Sequence, residues 1–272
     1  MLGADRIWPL HGAAAGAFTL ADDAAAPDQA VVTAVAQPVL LGFAPQRPNG
    51  RAMLVLGGGG YVALMAGREG VQVARWLNAL GYYAFVLIHR FPDADNGPSA
   101  PLDDALAAMA LARASGLAER GLGVVGLSSG GHLAACLAAE YPPAWGQAVP
   151  QRPDVLVVGY APISTNARGR TIIADKPPLP PVEKQALYDA LQPDAQLLPA
   201  PPPAFIVYAG NDPVVPVANA HRLDAALRVA GGSVELHIFA DAPHGFALDT
   251  PDMPVSLWPV LCEGWLRQVG FL

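Results

Sequence analysis

Along the chain, apolar residues gather into short uninterrupted runs, separated by longer stretches where they recur at helical spacing. Ala52-Met53-Leu54-Val55-Leu56 is such a run, and it stops at four glycines, Gly57 to Gly60. A short continuous apolar run bounded by glycine reads as a strand buried on both faces. A helical stretch follows from about Arg68 to Leu80 and ends at Gly81. The strand Tyr83 to Ile88 comes next, then an alanine-rich helix from about Leu102 to Ser115. Leu122 to Val125 reads as a strand and Gly131 to Glu140 as a helix. Asp154 to Val158, Ala204 to Tyr208 and Ser233 to Phe239 complete the strand series, with helices near Pro216 to Ala230 and Val255 to Val269.

Strands separated by helices of this length predict an α/β protein: a mostly parallel sheet covered by helices on both faces. Ala30 to Ala36 and Val39 to Phe43, split by Pro38, read as antiparallel strands that open the sheet. One stretch breaks the rhythm. From Ala161 to Pro203 the chain is irregular and proline-dense, with Lys176-Pro177-Pro178-Leu179-Pro180-Pro181 and Pro201-Pro202-Pro203. A loop of that length is commonly functional, and it leaves one strand and returns before the next, where a cap over the site can be inserted. The expectation is a single domain, 1–272, with 161–203 as a short proline-rich cap segment.

The sharpest local signal is Gly126-Leu127-Ser128-Ser129-Gly130, directly after a strand and directly before a helix. A nucleophile on such an elbow occupies a strained turn, and side chains two positions to either side collide with it. Glycine at both flanks fits Ser128 as nucleophile. With Ser129 as nucleophile, Leu127 would stand at a flank and clash. An activated serine needs a base, and the base needs a partner that holds its tautomer. In this class the chain order is serine, acid, histidine. Of the six histidines, His11 sits in an irregular N-terminal stretch, His89 ends a strand ahead of the elbow and His132 lies in the elbow helix. His221 falls in a helix and His237 within a strand. His244, in the loop between the last strand and the last helix, is the expected base. Asp212, in the turn after the strand Ala204 to Tyr208, is the expected acid, favoured over Asp241, which lies too close in sequence to His244. An oxyanion hole needs backbone N–H groups aimed at developing charge. The N–H of Ser129 is one, and the Gly57 to Gly60 loop stands where the others belong. That loop lacks the continuation of a phosphate-binding motif.

These residues resemble a known group, the compact α/β-hydrolase esterases similar to acetylxylan esterases, sometimes called xylanase-B-like. They also look related to the hormone-sensitive-lipase and prolyl-oligopeptidase branches. The likeness runs through Gly58-Gly59-Gly60-Tyr61, Arg68-Glu69-Gly70, Val73 to Asn78 and Leu80-Gly81-Tyr82. It continues through Pro101 to Ala105, Gly126 to Ala134, Asn211 to Pro216 and His244-Gly245-Phe246. It implies an α/β-hydrolase fold, the triad Ser128, Asp212 and His244, and Gly59 and Gly60 as oxyanion donors alongside Ser129. It also implies hydrolysis of short acyl esters, acetyl groups on sugars among them. Gly57 departs from the proline or histidine common in relatives, His89 from their tyrosine, and Ser164 to Pro203 matches nothing in them. A peptidase or amidase of the prolyl-oligopeptidase type is the alternative, although the large gating domain such enzymes usually add is not expected within these 272 residues. A non-catalytic binding protein on the same fold is the third reading, and the presence of all three triad residues speaks against it.

Composition narrows the picture further. A formal charge of −7 argues against nucleic acid, whose phosphates need clustered Lys and Arg. No run reaches the roughly 18 apolar residues of a membrane span, and the first residues lack the basic-then-apolar pattern of a secretory signal. A cytoplasmic protein is therefore expected. Cys136 and Cys262 sit in apolar helical sequence without metal-site or disulfide-framework spacing. Neither metal nor organic cofactor is expected, and the partner is a small-molecule or oligosaccharide ester.

Overall fold

The runs without polar interruption form the middle of one sheet. In the computed structural model, which describes residues 1–11, 18–145, 152–170, 172–173 and 177–272, these are β5 (Ala52–Leu56), β6 (Tyr83–Ile88), β7 (Leu122–Leu127), β8 (Leu156–Gly159) and β9 (Ala204–Ala209), buried along their whole lengths. β10 (Val234–Phe239), more polar, is an only partly buried edge. With β1 (Arg6–Pro9) and β4 (Val39–Phe43), the sheet has eight strands in the order β1-β4-β6-β5-β7-β8-β9-β10. Pairing from β6 to β10 is parallel, and β1 and β4 add an antiparallel margin.

Helices supply the crossovers that parallel strands require. They include α1 (Gln72–Ala79), α2 (Ala100–Ala114), α3 (Ser129–Cys136) and α6 (Ala218–Val229), while α7 (Trp258–Gln268) follows the last strand. α1 meets α7 through Trp76 and Trp258, ring centroids 5.3 Å apart, while α2 packs against α3. A π-helical turn, Ala66–Val71, runs directly into α1. Among the described residues, no helix is long and apolar enough to cross a membrane.

Two sequence expectations need correction. Ala30 to Ala36 does not open the main sheet. Its core, β3 (Val32–Val35), pairs with β2 (Phe18–Leu20) in a separate two-stranded sheet, and the main-sheet margin is taken by β1. The margin is an edge that needs no fully buried strand: β1, with Arg6 and Pro9 exposed, takes it, while β3, with Thr33 and Ala34 exposed, finds its strand partner in β2. Val32 instead exchanges two backbone hydrogen bonds of 2.9 Å with Leu64, and Gly67 N–H donates to the Ala30 carbonyl. This segment thereby braces the chain just behind the glycine loop.

The stretch from Ala161 to Pro203 is also more regular than its prolines imply. It holds α4 (Val182–Ala190) and the short α5 (Pro193–Gln196). Strong helix formers follow Pro181, which sits just ahead of the first turn, where its missing N–H costs nothing. Leu187 and Tyr188 bury one face of α4 against the core. Lys176, named in the proline run, lies outside the described residues.

Candidate active site

Every functional position read from the sequence lies at or just beyond a strand end on the carboxyl side of the sheet. Ser128 caps α3 immediately after β7, with φ 52° and ψ −125°, a region that costs a non-glycine residue on the order of 1–3 kcal/mol. The flanking glycines are required by close approach. A Cβ on Gly126 would lie 2.2 Å from the Gly130 carbonyl oxygen, and one on Gly130 would lie 2.0 Å from that of Leu56. The elbow is therefore wedged between its own helix and β5.

Ser128 Oγ lies 3.0 Å from His244 Nε2, and His244 Nδ1 lies 2.7 Å from Asp212 Oδ2. Asp212 has a buried side chain, and its Oδ1 accepts the N–H groups of Val214 (2.8 Å) and Val215 (2.9 Å). Burial pushes this carboxyl upward, but the His244 hydrogen bond and the two backbone donors outweigh it and hold it below its ordinary value. An ionised carboxylate only accepts, so His244 Nδ1 carries the ring proton and Nε2 is left to accept from the serine hydroxyl. Asp241, the competing acid, instead accepts a hydrogen bond from Asn211 Nδ2, and Asn211 Oδ1 in turn takes the Ala242 N–H at 3.1 Å.

The three expected oxyanion donors differ in their engagement. Gly60 N–H donates to Ser129 Oγ at 2.9 Å. Gly59 (φ 133°) could not carry a side chain, since a Cβ would lie 2.2 Å from the Ala63 carbonyl oxygen. Its peptide is clamped: the Gly58 carbonyl accepts from Met65 N–H at 2.8 Å, and the Gly59 carbonyl accepts from Val62 and Ala63. Gly58 approaches Ser128 so closely that a Cβ there would lie 2.6 Å from Ser128 Cβ.

Four of the other histidines have separate duties. His132 Nε2 donates to the Leu191 carbonyl (2.9 Å), so its Nδ1 accepts from Tyr61 O–H (2.9 Å). Burial lowers its pKa to about 4 and keeps it neutral. His89 is buried and donates Nδ1–H to the Arg90 carbonyl at 2.7 Å. His11 reaches Asp104 (2.9 Å) and His237 reaches Glu235 (3.0 Å).

Two polar residues of this region escaped the sequence reading. Glu69 is buried in the π-helical turn, where Oε2 accepts the Gly58 N–H at 2.6 Å and Oε1 accepts the Tyr160 O–H at 2.9 Å. Tyr160, just past β8 with φ 36°, packs edge-on against His244 with ring centroids 5.3 Å apart. The signal for Glu69 was a lone carboxylate among small and apolar residues, Ala66-Gly67-Arg68-Glu69-Gly70-Val71, at a turn that had to pack inward. Chemically, the assembly can move a proton from Ser128 Oγ to His244 while the carboxylate stabilises the imidazolium, with N–H groups near at hand for an oxyanion.

The sequence profile of the prolyl oligopeptidase family matches residues 94–253. An acetylxylan esterase of Xylanibacter ruminicola is 30% identical over 224 residues, which cover 76% of this chain and 43% of the relative. The chain thus spans less than half the length of the curated relatives it matches. An acetyl ester-xyloside bifunctional hydrolase from Caldicellulosiruptor lactoaceticus superposes with a TM-score of 0.69 at 30% identity, covering 87% of this chain and 89% of that one. The carboxylesterase Cest-2923 from Lactobacillus plantarum has the same fold, with a TM-score of 0.69 at 21% identity over 95% of this chain and 98% of that one. This chain, an α/β-hydrolase, belongs to the prolyl oligopeptidase family.

Proposed function

We propose that the protein is a serine carboxylic-ester hydrolase that removes short acyl groups, acetyl above all, from sugar or other small-molecule esters. The observation that carries this reading is the unbroken chain Ser128–His244–Asp212, at 3.0 and 2.7 Å, on a strained elbow. Ser128 Oγ attacks the ester carbonyl as His244 Nε2 takes its proton. Asp212 holds the imidazolium, and the oxyanion draws on the N–H groups of Ser129 and Gly59, with Gly60 joining them once it releases Ser129 Oγ. His244 then protonates the leaving alkoxide, and water activated by the same nitrogen releases the acyl group. None of these steps calls for a metal or an organic cofactor. The acetyl and sugar parts of the reading are supported by the names of the two relatives at 30% identity.

The segment 161–203 is proposed to shape the alcohol side of the site. Its helix α4 brings Lys184 Nζ to 3.7 Å from where a Gly60 Cβ would stand. Acetate release from acetylated xylo-oligosaccharides, beside p-nitrophenyl esters of rising acyl length, tests the reading. Ser128→Ala should lower turnover at least about a thousandfold, since nucleophile removal costs up to about 10⁶ in kcat in a serine hydrolase. Activity that survives in this variant would overturn the mechanism. Turnover of peptide p-nitroanilides in preference to esters would replace it with the peptidase alternative.

A further inference from the structure

We propose that Glu69 is a positioning residue that locks the oxyanion loop to the loop bearing His244, with Tyr160 as the link between them. The proposal rests on the serine-hydrolase reading of the site. Three strand ends meet around this one carboxylate. From the loop after β5, Gly58 donates its N–H to Oε2 at 2.6 Å. From the end of β8, Tyr160 donates its O–H to Oε1 at 2.9 Å. From the loop after β10, Phe246 packs edge-on against Tyr160 with ring centroids 4.5 Å apart, and a Cβ on Gly245 would lie 3.8 Å from Glu69 Oε1. The neighbouring side chain completes the tie: Arg68 donates to the Gly245 carbonyl at 3.1 Å and pairs with Asp249 at 2.6 Å.

The chemistry of the donors dictates what stands at this position. Tyr160 donates its own proton to Glu69 Oε1. Gly58 brings a second donor. Both side-chain oxygens must therefore accept, which a carboxylate does and an amide cannot. A glutamine here would present its NH₂ to either Gly58 or Tyr160, donor against donor. The Gly58 N–H is consumed by this bond, which leaves Gly59, on the proposed reading, as the oxyanion donor beside it. The peptides on either side of Gly58 are thus pinned, the first at its N–H by Glu69 and the second at its carbonyl by Met65 N–H. Misplacement of such a donor by about 1 Å costs on the order of a hundredfold in rate. A π-helical turn at this position fits the pattern, because such turns recur at functional sites.

The test uses the full chain. Wild-type protein is first assayed on p-nitrophenyl acetate, and active sites are counted by titration with a phosphonate. A folded wild type inert on all esters would fail the serine-hydrolase reading itself, before any variant is considered. With an active wild type, Glu69→Gln and Tyr160→Phe are compared per titrated site for kcat, KM and inhibition by a trifluoromethyl ketone, which mimics the oxyanion. Glu69→Gln should lower kcat about ten- to a hundredfold with KM within about twofold, and ketone affinity should fall in step. Tyr160→Phe should follow in the same direction with a smaller loss. Thermal unfolding identifies a merely structural role. Should both variants keep kcat and ketone affinity within about twofold per titrated site, whatever their Tm, the proposal is overturned. A rise in KM alone would overturn it too.

Discussion

Two buried carboxylates serve the His244 loop from opposite quarters of the sheet, and their surroundings push them in opposite directions. Asp212, in the loop after β9, receives three donors: His244 Nδ1–H on one oxygen and the N–H groups of Val214 and Val215 on the other. Burial raises it, the donors outweigh burial, and it ends below its ordinary value. Glu69, in the turn before α1, receives two donors, and Arg68 and His244 favour its charge from farther off. Burial dominates there, and it ends above its ordinary value. One further short hydrogen bond and a less dry position separate the two outcomes. A carboxylate that must stay charged to support a base is placed where backbone N–H groups converge. One whose task is to hold loops can tolerate a more costly setting.

The largest effect that would sharpen this contrast is Asp212→Asn. The amide offers His244 no assured acceptor, the tautomer is no longer held, and kcat should fall about 10⁴-fold, the loss known for this change in a serine protease. Steady-state kinetics beside Glu69→Gln then rank the two: a loss for Asp212→Asn no greater than that for Glu69→Gln would break the comparison. Next comes Gly58→Ala. Its Cβ would lie 2.6 Å from both Ser128 Cβ and Glu69 Oε2. Overpacking of this kind costs about 1–3 kcal/mol, visible as a lowered urea midpoint together with loss of esterase activity.

Stability against pH offers a third, smaller and signed test. The lowered Asp212 contributes stability above its unfolded value of about 3.9, and this is lost as pH falls through the folded value. Glu69 behaves inversely. Its contribution is present below the unfolded value of about 4.3 and is lost as pH rises through the raised folded value. Urea unfolding across the acid range should therefore show the wild type losing its advantage over Asp212→Asn on acidification. Relative to Glu69→Gln, the wild type should weaken as pH rises. Equal slopes for the two variants would refute the opposed shifts. The smallest effect belongs to Asp241→Asn. Asp241 is exposed and engages Asn211 rather than His244. Surface changes stay within about 0.5 kcal/mol, so kcat should move by no more than about twofold.

The same contrast explains what was legible in the chain. Asp212 could be singled out as the expected partner of His244 because it stands in the turn after a recognisable apolar run, and the structure does bring the two together at 2.7 Å. Glu69 and Tyr160 sit 91 positions apart, on elements with no sequential relation, and only the register of β5, β7 and β8 brings them together. The misplaced Ala30 to Ala36 segment follows the same logic. Its β character was visible, but its partner is set by which neighbours leave backbone groups open, and those are β2 and Leu64. In Val182 to Ala190, prolines on the N-terminal side masked an ordinary helix.

By itself, then, the sequence determined the mostly parallel character of the central sheet, the glycine-flanked turn at Ser128, and the positions of Asp212 and His244 just past strand ends. Each is a local matter of apolar period, glycine at a strained turn or position after a strand. Tertiary structure alone decided that Asp212 rather than Asp241 reaches His244, that the Gly58 N–H goes to Glu69, and that Glu69 also meets Tyr160. Those outcomes depend on distances between strand ends, which arise only when the sheet closes its register and excludes water from between the loops.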